Sequence, residues 1–596
     1  MGPGGSAITD WHVWWSFNRD LYLQLKRAIH KTDSETGYDD FFLGFGQSER
    51  IRESRPDDGD LQRRIVPELI QALDGSKNQD LVTACLMALA KIGLEPLEGP
   101  GLVGLIGGHL AHSNQEIAET AAVALGILGD ESSATVLVEL LIDSEAGRRR
   151  VNRAAVPYRT RAFAAYGLAL IGSASERSDV RSFVVFHLAN TLQHESTATR
   201  DLATACVISL GLVPLEVVGE WPTADDGPPR VNGSREAQVA WLLHWFSTSR
   251  AKDQVRLHAP VAMARLCSGA GPAAKRAVGN VLLTVLANFG KEDPNVRRAT
   301  VTALGRLGDD DADDLDTRIR GKLRKIAQEK DAMSRDLARI SLARVATRPG
   351  TGPEPGSALD PVQRYFIKDL ITGKSTTRPW TALALGVLAY RRQETGLAVA
   401  REVPFSLRQA LAGTKSPRDV GAISTALGLA RDADAAPLLV QRLRGGADDV
   451  VKSRAAIALG LVHSADAAQE LRTVARESLR KPNLLRAVST ALALLGDHEI
   501  LPELIVALRE AKTFATQSAL AFSIGRIGDT RAVTPLLELL RNENVSISTR
   551  AFAAAALGVV GDDRELPWNS MIAVDVYYGI PPSTLTDGAR GVLDLL

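Results

Sequence analysis

The chain has 596 residues, 45% of them hydrophobic and 23% charged, with 70 basic residues set against 70 acidic ones. That balance excludes a bulk electrostatic pull towards nucleic acid or an anionic membrane. Apolar runs are broken by Gly, Asp, Pro or Arg well short of the roughly 18–20 residues a membrane helix needs, which predicts a soluble chain with no transmembrane segment.

The opening Met-Gly-Pro-Gly-Gly-Ser lacks the basic start and apolar stretch of a signal peptide. It reads as a start placed on a flexible linker, so the natural chain is expected to begin earlier. The compartment stays open: exported or periplasmic if a signal was removed, otherwise cytoplasmic. Residues 1–60 form an aromatic-rich cap and linker in this reading. Trp (8), Tyr (8) and Phe (14) total 30, and nine of them fall within the first 45 positions. Trp11, Trp14 and Trp15 share one helix face, with Phe17, Tyr22, Phe41, Phe42 and Phe45 nearby. The pattern predicts a cap over the exposed apolar end of the first repeat, which a solenoid requires. The alternative is an aromatic binding patch, since Trp and Tyr anchor interfaces.

From Leu61 onward a repeat is legible. Segments such as ETAAVALGILGD (Glu119 to Asp130), RRATVTALGRLGD (Arg297 to Asp309) and RAFAAAALGVVGD (Arg550 to Asp562) share small residues at helical spacing, a Leu beside a small residue, and a terminal Gly-Asp. Small faces let helices approach to about 8–10 Å, the Gly suits a left-handed C-cap, and the Asp caps the next helix. Each segment is therefore the second helix of a pair. Its closing position recurs at Gly93, Gly129, Gly172, Pro214, Cys267, Gly308, Ala346, Ala389, Arg431, His463, Gly496, Gly528 and Gly561. The last four steps are 32, 33, 32 and 33 residues, and the earlier ones run from 36 to 53. First helices show a 3.6-residue Leu period with Pro67, Pro437, Pro502 and Pro535 in their first turns. About thirteen pairs result, in an N-terminal block at 61–346 and a C-terminal block at 362–562.

The N-terminal block carries the strongest local charge. Arg148, Arg149, Arg150, Arg153, Arg159 and Arg161 fall within 14 residues, a positive field suited to a carboxylate-rich or phosphorylated partner. Arg161 also belongs to a series with Arg297, Arg335, Arg378 and Arg550, each 11 residues before its closing position. An insertion at Glu220 to Ser234 follows. The run from Asp309 to Asp316 lacks the Gly and Glu that a calcium loop needs at its sixth and twelfth positions, and acidic residues at a helix start are explained by the dipole. Residues 347–361 are a Pro/Gly-rich linker, read as a hinge between the blocks, and 563–596 form a docking tail.

These endings resemble HEAT repeats, and among them the short-period bacterial type seen in phycobilisome-lyase-like proteins, over roughly Leu61 to Asp562. The resemblance implies an all-α superhelix, second helices on its concave side, and partner binding as the usual role. It also implies that the recurring Arg ties adjacent repeats together. The two ends, WHVWWSFNRDLYLQLKRAI and DDFFLGFG at the start and VDVYYGIPPSTLTDGARGVLDLL at the finish, resemble HEAT-repeat proteins of planctomycete-like bacteria.

Catalytic patterns are wanting. Gly373-Lys374-Ser375 lacks the earlier Gly of a phosphate-binding loop, and there is no HExxH, GxSxG or CxxC. His194-Glu195 and His498-Glu499 are similar to the metal-binding pairs of deoxyhypusine hydroxylase, but that family has four at equivalent positions and these two are not equivalent. Cys85 and Cys206 replace the small Ala of other repeats and read as core residues, with Cys267 a third single thiol. The resulting expectation is a non-catalytic scaffold without metal or cofactor. Its partner is a protein or peptide, acidic in character, held near Arg148, Arg149, Arg150, Arg153 and Arg159 or near Trp11, Trp14 and Trp15. Arg306, Arg344 and Arg526 are placed at the groove. The alternative is a lyase-like or ligand-carrying solenoid with its site in that groove.

Overall fold

A computed structural model describes residues 8–26, 56–194, 199–222, 230–249, 251–287, 291–445 and 448–595. Phe41, Phe42, Phe45 and Glu195, singled out above, lie outside them. Among the described residues every regular element is a helix and no strand occurs. Most of the described helices fall into thirteen pairs. They run from Val66–Asp74 with Gln79–Ile92 to Val533–Arg541 with Ile547–Gly561. None is long and apolar enough to cross a membrane.

Local chemistry fixes where these helices begin and end. Asn78 accepts the Leu81 amide at the start of Gln79–Ile92, and Gly93 closes that helix at φ 68°. Thr513 and Gly528 (φ 69°) do the same for Phe514–Ile527. His463 takes the same left-handed position at φ 56° without being glycine, a conformation that costs an L-residue roughly 1–2 kcal/mol.

First and second helices differ in burial. Ala468–Glu477 buries a stripe of Leu471, Val474 and Ala475. In Tyr158–Ala174 every residue from Thr160 to Gly172 is buried. A helix apolar all round must be covered on all sides, and second helices are covered by their own partner and by the second helices of neighbouring pairs.

The stacking has a fixed register. Three residues before the closing position, a Gly faces a small residue five before the closing position of the next pair. A Cβ on Gly305 would lie 2.4 Å from Ser341 Cβ, one on Gly428 2.9 Å from Ala458 Cα, and one on Gly460 2.8 Å from Ala491 Cα. Glycine is required here by close approach, not by its dihedral freedom.

The residues fall into two compact units. Unit one combines the described parts of Met1–Arg19, Leu125–Ser406 and Trp568–Leu595, and unit two those of Asp20–Ala124 and Leu407–Pro567. Three of the boundaries thus fall inside helices, Trp11–Leu23, Gln115–Leu128 and Glu402–Gly413. The linker at 347–361 lies within unit one.

In unit two the last pair stacks on the first. A Cβ on Gly558 would lie 2.6 Å from Ala88 Cα, and one on Gly561 2.8 Å from Ile92 and 3.0 Å from Leu61. Gly558 and Ala88 hold the same register as consecutive pairs. Arg541 reaches Glu68 at 2.7 Å and Arg64 reaches Thr534 at 2.7 Å between the two first helices. The expected Trp-rich cap on the first repeat is therefore corrected: the second helix of the last pair covers that end.

The recurring Arg also differs from its expected role in part. Arg161 Nε donates to Leu141 O, and Arg550 Nε to Leu540 O, each at 2.8 Å, so both tie the two helices of their own pair. Arg297 faces Glu329 of the following pair at 3.8 Å. Cys85, Cys206 and Cys267 are all buried.

Candidate binding face

In unit one the C-terminal ends of three successive second helices present a basic residue two positions before the closing one: Arg265, Arg306 and Arg344. A cation is favoured there because the helix dipole is negative at that end. The chain's own tail lies on these residues. Arg344 and Arg306 both donate to the Asp575 carboxylate, the latter at 3.0 Å, and Arg265 donates to the Val574 carbonyl. Asp575 is buried and left-handed at φ 61°. Burial alone would raise its pKa, but the charges of Arg344, then Arg306, hold it below the usual carboxylate range.

The rest of the tail is held in the same manner. Tyr577 Oη donates to Asn295 Oδ1 at 2.6 Å, and Tyr578 stacks on Phe17 at 5.4 Å. Asp201 accepts from Ser583 Oγ at 2.8 Å and from the Thr584 amide at 3.2 Å. Little of this segment is helical beyond the single turn Ser570–Ala573.

The aromatic start of the chain supports it. Asn18 Oδ1 accepts the Asp575 amide at 3.2 Å. The Arg344 guanidinium lies 5.7 Å from the Trp14 ring, which meets Trp380 edge-on at 6.5 Å. Trp11, Trp14 and Trp15 are all buried. They pack as core groups and do not form an exposed patch.

The arginine-rich loop is locally balanced. Arg148 pairs with Asp143 at 2.7 Å, Arg149 with Glu145 at 2.5 Å and Arg150 with Glu139 at 2.5 Å. Arg153 sits at the same turn, its amide on the Arg148 carbonyl. Arg159 is turned elsewhere: its guanidinium reaches Ser583 Oγ at 3.3 Å and Arg590 O at 2.9 Å, on the tail. Sequence reasoning grouped these five by proximity, and the structure separates Arg159 from the others. It missed Asp201, Asn295 and Asp575, whose signal was only a polar residue early in a second helix or an acid beside two tyrosines.

The acidic run is also used internally. Carboxylate oxygens of Asp309, Asp311 and Asp316 lie within 4.8 Å of one another. Lys275 Nζ donates to Asp309 and, at 2.6 Å, to Asp316. Gly350 N donates to Asp310 at 2.9 Å and Gly352 N to Asp311 at 2.6 Å, which fastens the Pro/Gly linker to this turn. Burial pushes Asp316 up to about 7 despite Lys275. In unit two an open groove of about 770 Å³ lies between the first pair and the loop after it, lined by Pro67, Ile70, Pro96 and Leu97 with Asp74 and Glu98.

The stacked pairs define a class, that of all-α helical-repeat proteins. Residues 66–157 match the family model of HEAT repeats and residues 516–542 that of the PBS lyase HEAT-like repeat, so the chain carries HEAT repeats. No curated protein matches the sequence. Among solved structures, yeast importin-beta (Kap95p) is similar at 14% identity and a TM-score of 0.40, over 91% of this chain and 66% of that one. A second importin-beta structure gives 13%, 0.34, 90% and 76%. Human deoxyhypusine hydroxylase gives 15%, 0.23, 53% and 98%.

Proposed function

We propose that the chain is a non-catalytic scaffold that holds a protein or peptide segment across the ends of its second helices. What supports this reading is the way it holds its own tail. Guanidinium groups clasp a carboxylate and a main-chain carbonyl, an amide side chain takes a tyrosine hydroxyl, and an aspartate takes a hydroxyl and a backbone amide. A segment carrying an acid beside aromatic side chains suits such a face, in keeping with an acidic partner.

Arg148, Arg149, Arg150 and Arg153 would be outer contacts for that partner. Exposed ion pairs are screened by solvent and contribute little, so a partner's carboxylates can take the place of Asp143, Glu145 and Glu139. Trp11, Trp14 and Trp15 would act indirectly, by keeping the tail in place. Affinity capture with the full chain, from extract of its own organism, tests the reading. A discrete partner should be enriched, and less of it by R148Q/R149Q/R150Q/R153Q. Enrichment no greater than that of an inert protein of equal size would refute it.

A further inference from the structure

The groove of unit two lies between the helix Val66–Asp74 and the loop that follows Gln79–Ile92, and that loop is fixed in place. Gln62 Nε2 donates to the Glu95 carbonyl at 2.7 Å, which ties the loop to the first helix. Glu95 Oε2 accepts the Leu102 amide at 2.9 Å, which folds the loop back onto the next helix, Leu102–Gly108. Gly99 makes the turn between them at φ 93°. The resulting volume of about 770 Å³ falls within the roughly 300–1,000 Å³ usual for ligand sites.

The walls are apolar and the charges are of one sign. Pro67, Ile70, Pro96 and Leu97 form the apolar part, and Asp74 and Glu98 are the ionisable side chains that line it. Leu97 is 63% exposed although its loop is held at both ends. A single exposed Leu needs no explanation, but several apolar groups sharing one depression mark an interaction site.

The acids around the groove divide into two kinds. Glu68 is answered by Arg541 at 2.7 Å, and Glu95 by the Leu102 amide. Asp74 and Glu98 have neither an ion pair nor a hydrogen bond among the described residues. Asp74 is moreover the last residue of its helix, where the negative end of the dipole disfavours a carboxylate. A cation arriving from outside would relieve both charges.

We propose that this groove binds a segment of a partner polypeptide that carries a Lys or Arg beside a large apolar side chain. The apolar side chain packs against Ile70 and Leu97, and the cation is drawn to Asp74 and Glu98. Arg suits the place best, since its planar fork donates two parallel hydrogen bonds to one carboxylate. The groove is opposite in charge to the face that holds the tail in unit one, so the two select different sequences.

Selection from a random-peptide phage library on the full chain, followed by anisotropy titration of the enriched peptides, tests the groove. Enriched sequences should set Lys or Arg next to Leu, Ile, Phe or Met and bind one saturable site. Affinity should fall at least tenfold in Leu97→Ser and in D74K/E98K, and should weaken as salt rises from about 50 to about 300 mM. Asp74→Lys places a cation at a helix C-terminus, where it favours the folded state, so loss of binding there is not loss of fold. Circular dichroism and urea unfolding of both variants check this. Peptides that bind the face of Arg306 and Arg344 are recognised by keeping their affinity in both variants. If every enriched peptide keeps its affinity, or if the sensitive ones are acidic or purely apolar, the proposal is overturned. Sedimentation addresses a second copy as occupant: a dimer of the wild type that Leu97→Ser dissolves would overturn it as well.

Discussion

Asp575 and Arg344 are 231 residues apart in the chain and form a hydrogen-bonded ion pair with both side chains out of solvent. The pair joins the tail to the seventh helix pair, and the Asp575 amide, through Asn18, joins the aromatic start to both. Breaking a buried pair on one side leaves an uncompensated charge, which typically costs about 3–5 kcal/mol. Asp575→Ala should therefore lower the stability of the full chain by that order in urea unfolding. Adding Arg344→Met should recover part of the loss, because the orphaned guanidinium is then gone. A double-mutant cycle with additive losses would show that the two residues do not act together.

Gly558 should tolerate no side chain. A Cβ there would meet Ala88 Cα at 2.6 Å, and backbone cannot yield as a flexible side chain can. Gly558→Val is expected to destabilise the protein by roughly 1–3 kcal/mol through overpacking. Amide exchange should quicken in Gln79–Ile92 and Ile547–Gly561 together, since the first and last pairs separate as one event. Faster exchange confined to Ile547–Gly561 would argue against the stacking of the two pairs.

The repeat was readable because each second helix states its register locally, in a small residue three positions before a capping Gly or its substitute. That is why pairs numbered by their closing positions correspond to helices such as Asp449–Val462 and Phe514–Ile527. Contact between Gly558 and Ala88 was not readable, since periodicity follows chain order and says nothing of which ends meet. A signal did exist: terminal repeats of an open array need a polar outer face, and AFAAAALGVV has none. The Arg148 to Arg153 field stands out in the sequence, whereas its pairing with Asp143, Glu145 and Glu139 exists only once the turn has folded. Asp575 was invisible for another reason. A lone acid in a tail gains meaning only when three helix ends from other repeats converge on it.

The linker at 347–361 should behave as a fastened strap. Its Gly350 and Gly352 amides donate to Asp310 and Asp311, and the Ala358 amide donates to the Asp310 carbonyl. Hydrogen exchange should find these amides protected in the wild type. Asp311→Ala removes the acceptor of Gly352, so protection should fall across 350–358 while Ala332–Val345 and Leu359–Thr372 keep theirs. Rapid exchange of the linker in the wild-type chain would restore the hinge reading.

His258 should make the protein acid-sensitive. It is buried beside a cavity of about 20 Å³ that Arg265 and Tyr577 also line, and among the described residues its Nε2 has no hydrogen-bond partner. Burial alone brings its pKa from 6.5 down to about 3. Between those values the unfolded chain binds a proton that the folded one refuses, so stability is full above about pH 6.5 and is lost as pH falls towards 3. The contribution reaches a few kcal/mol at the acid end, at about 1.4 kcal/mol per unit of pKa difference. His258→Asn cannot take up that proton. Its unfolding free energy, followed in urea from pH 7 to pH 4, should therefore fall less steeply than that of the wild type, and parallel slopes would mean that His258 already protonates in the folded state.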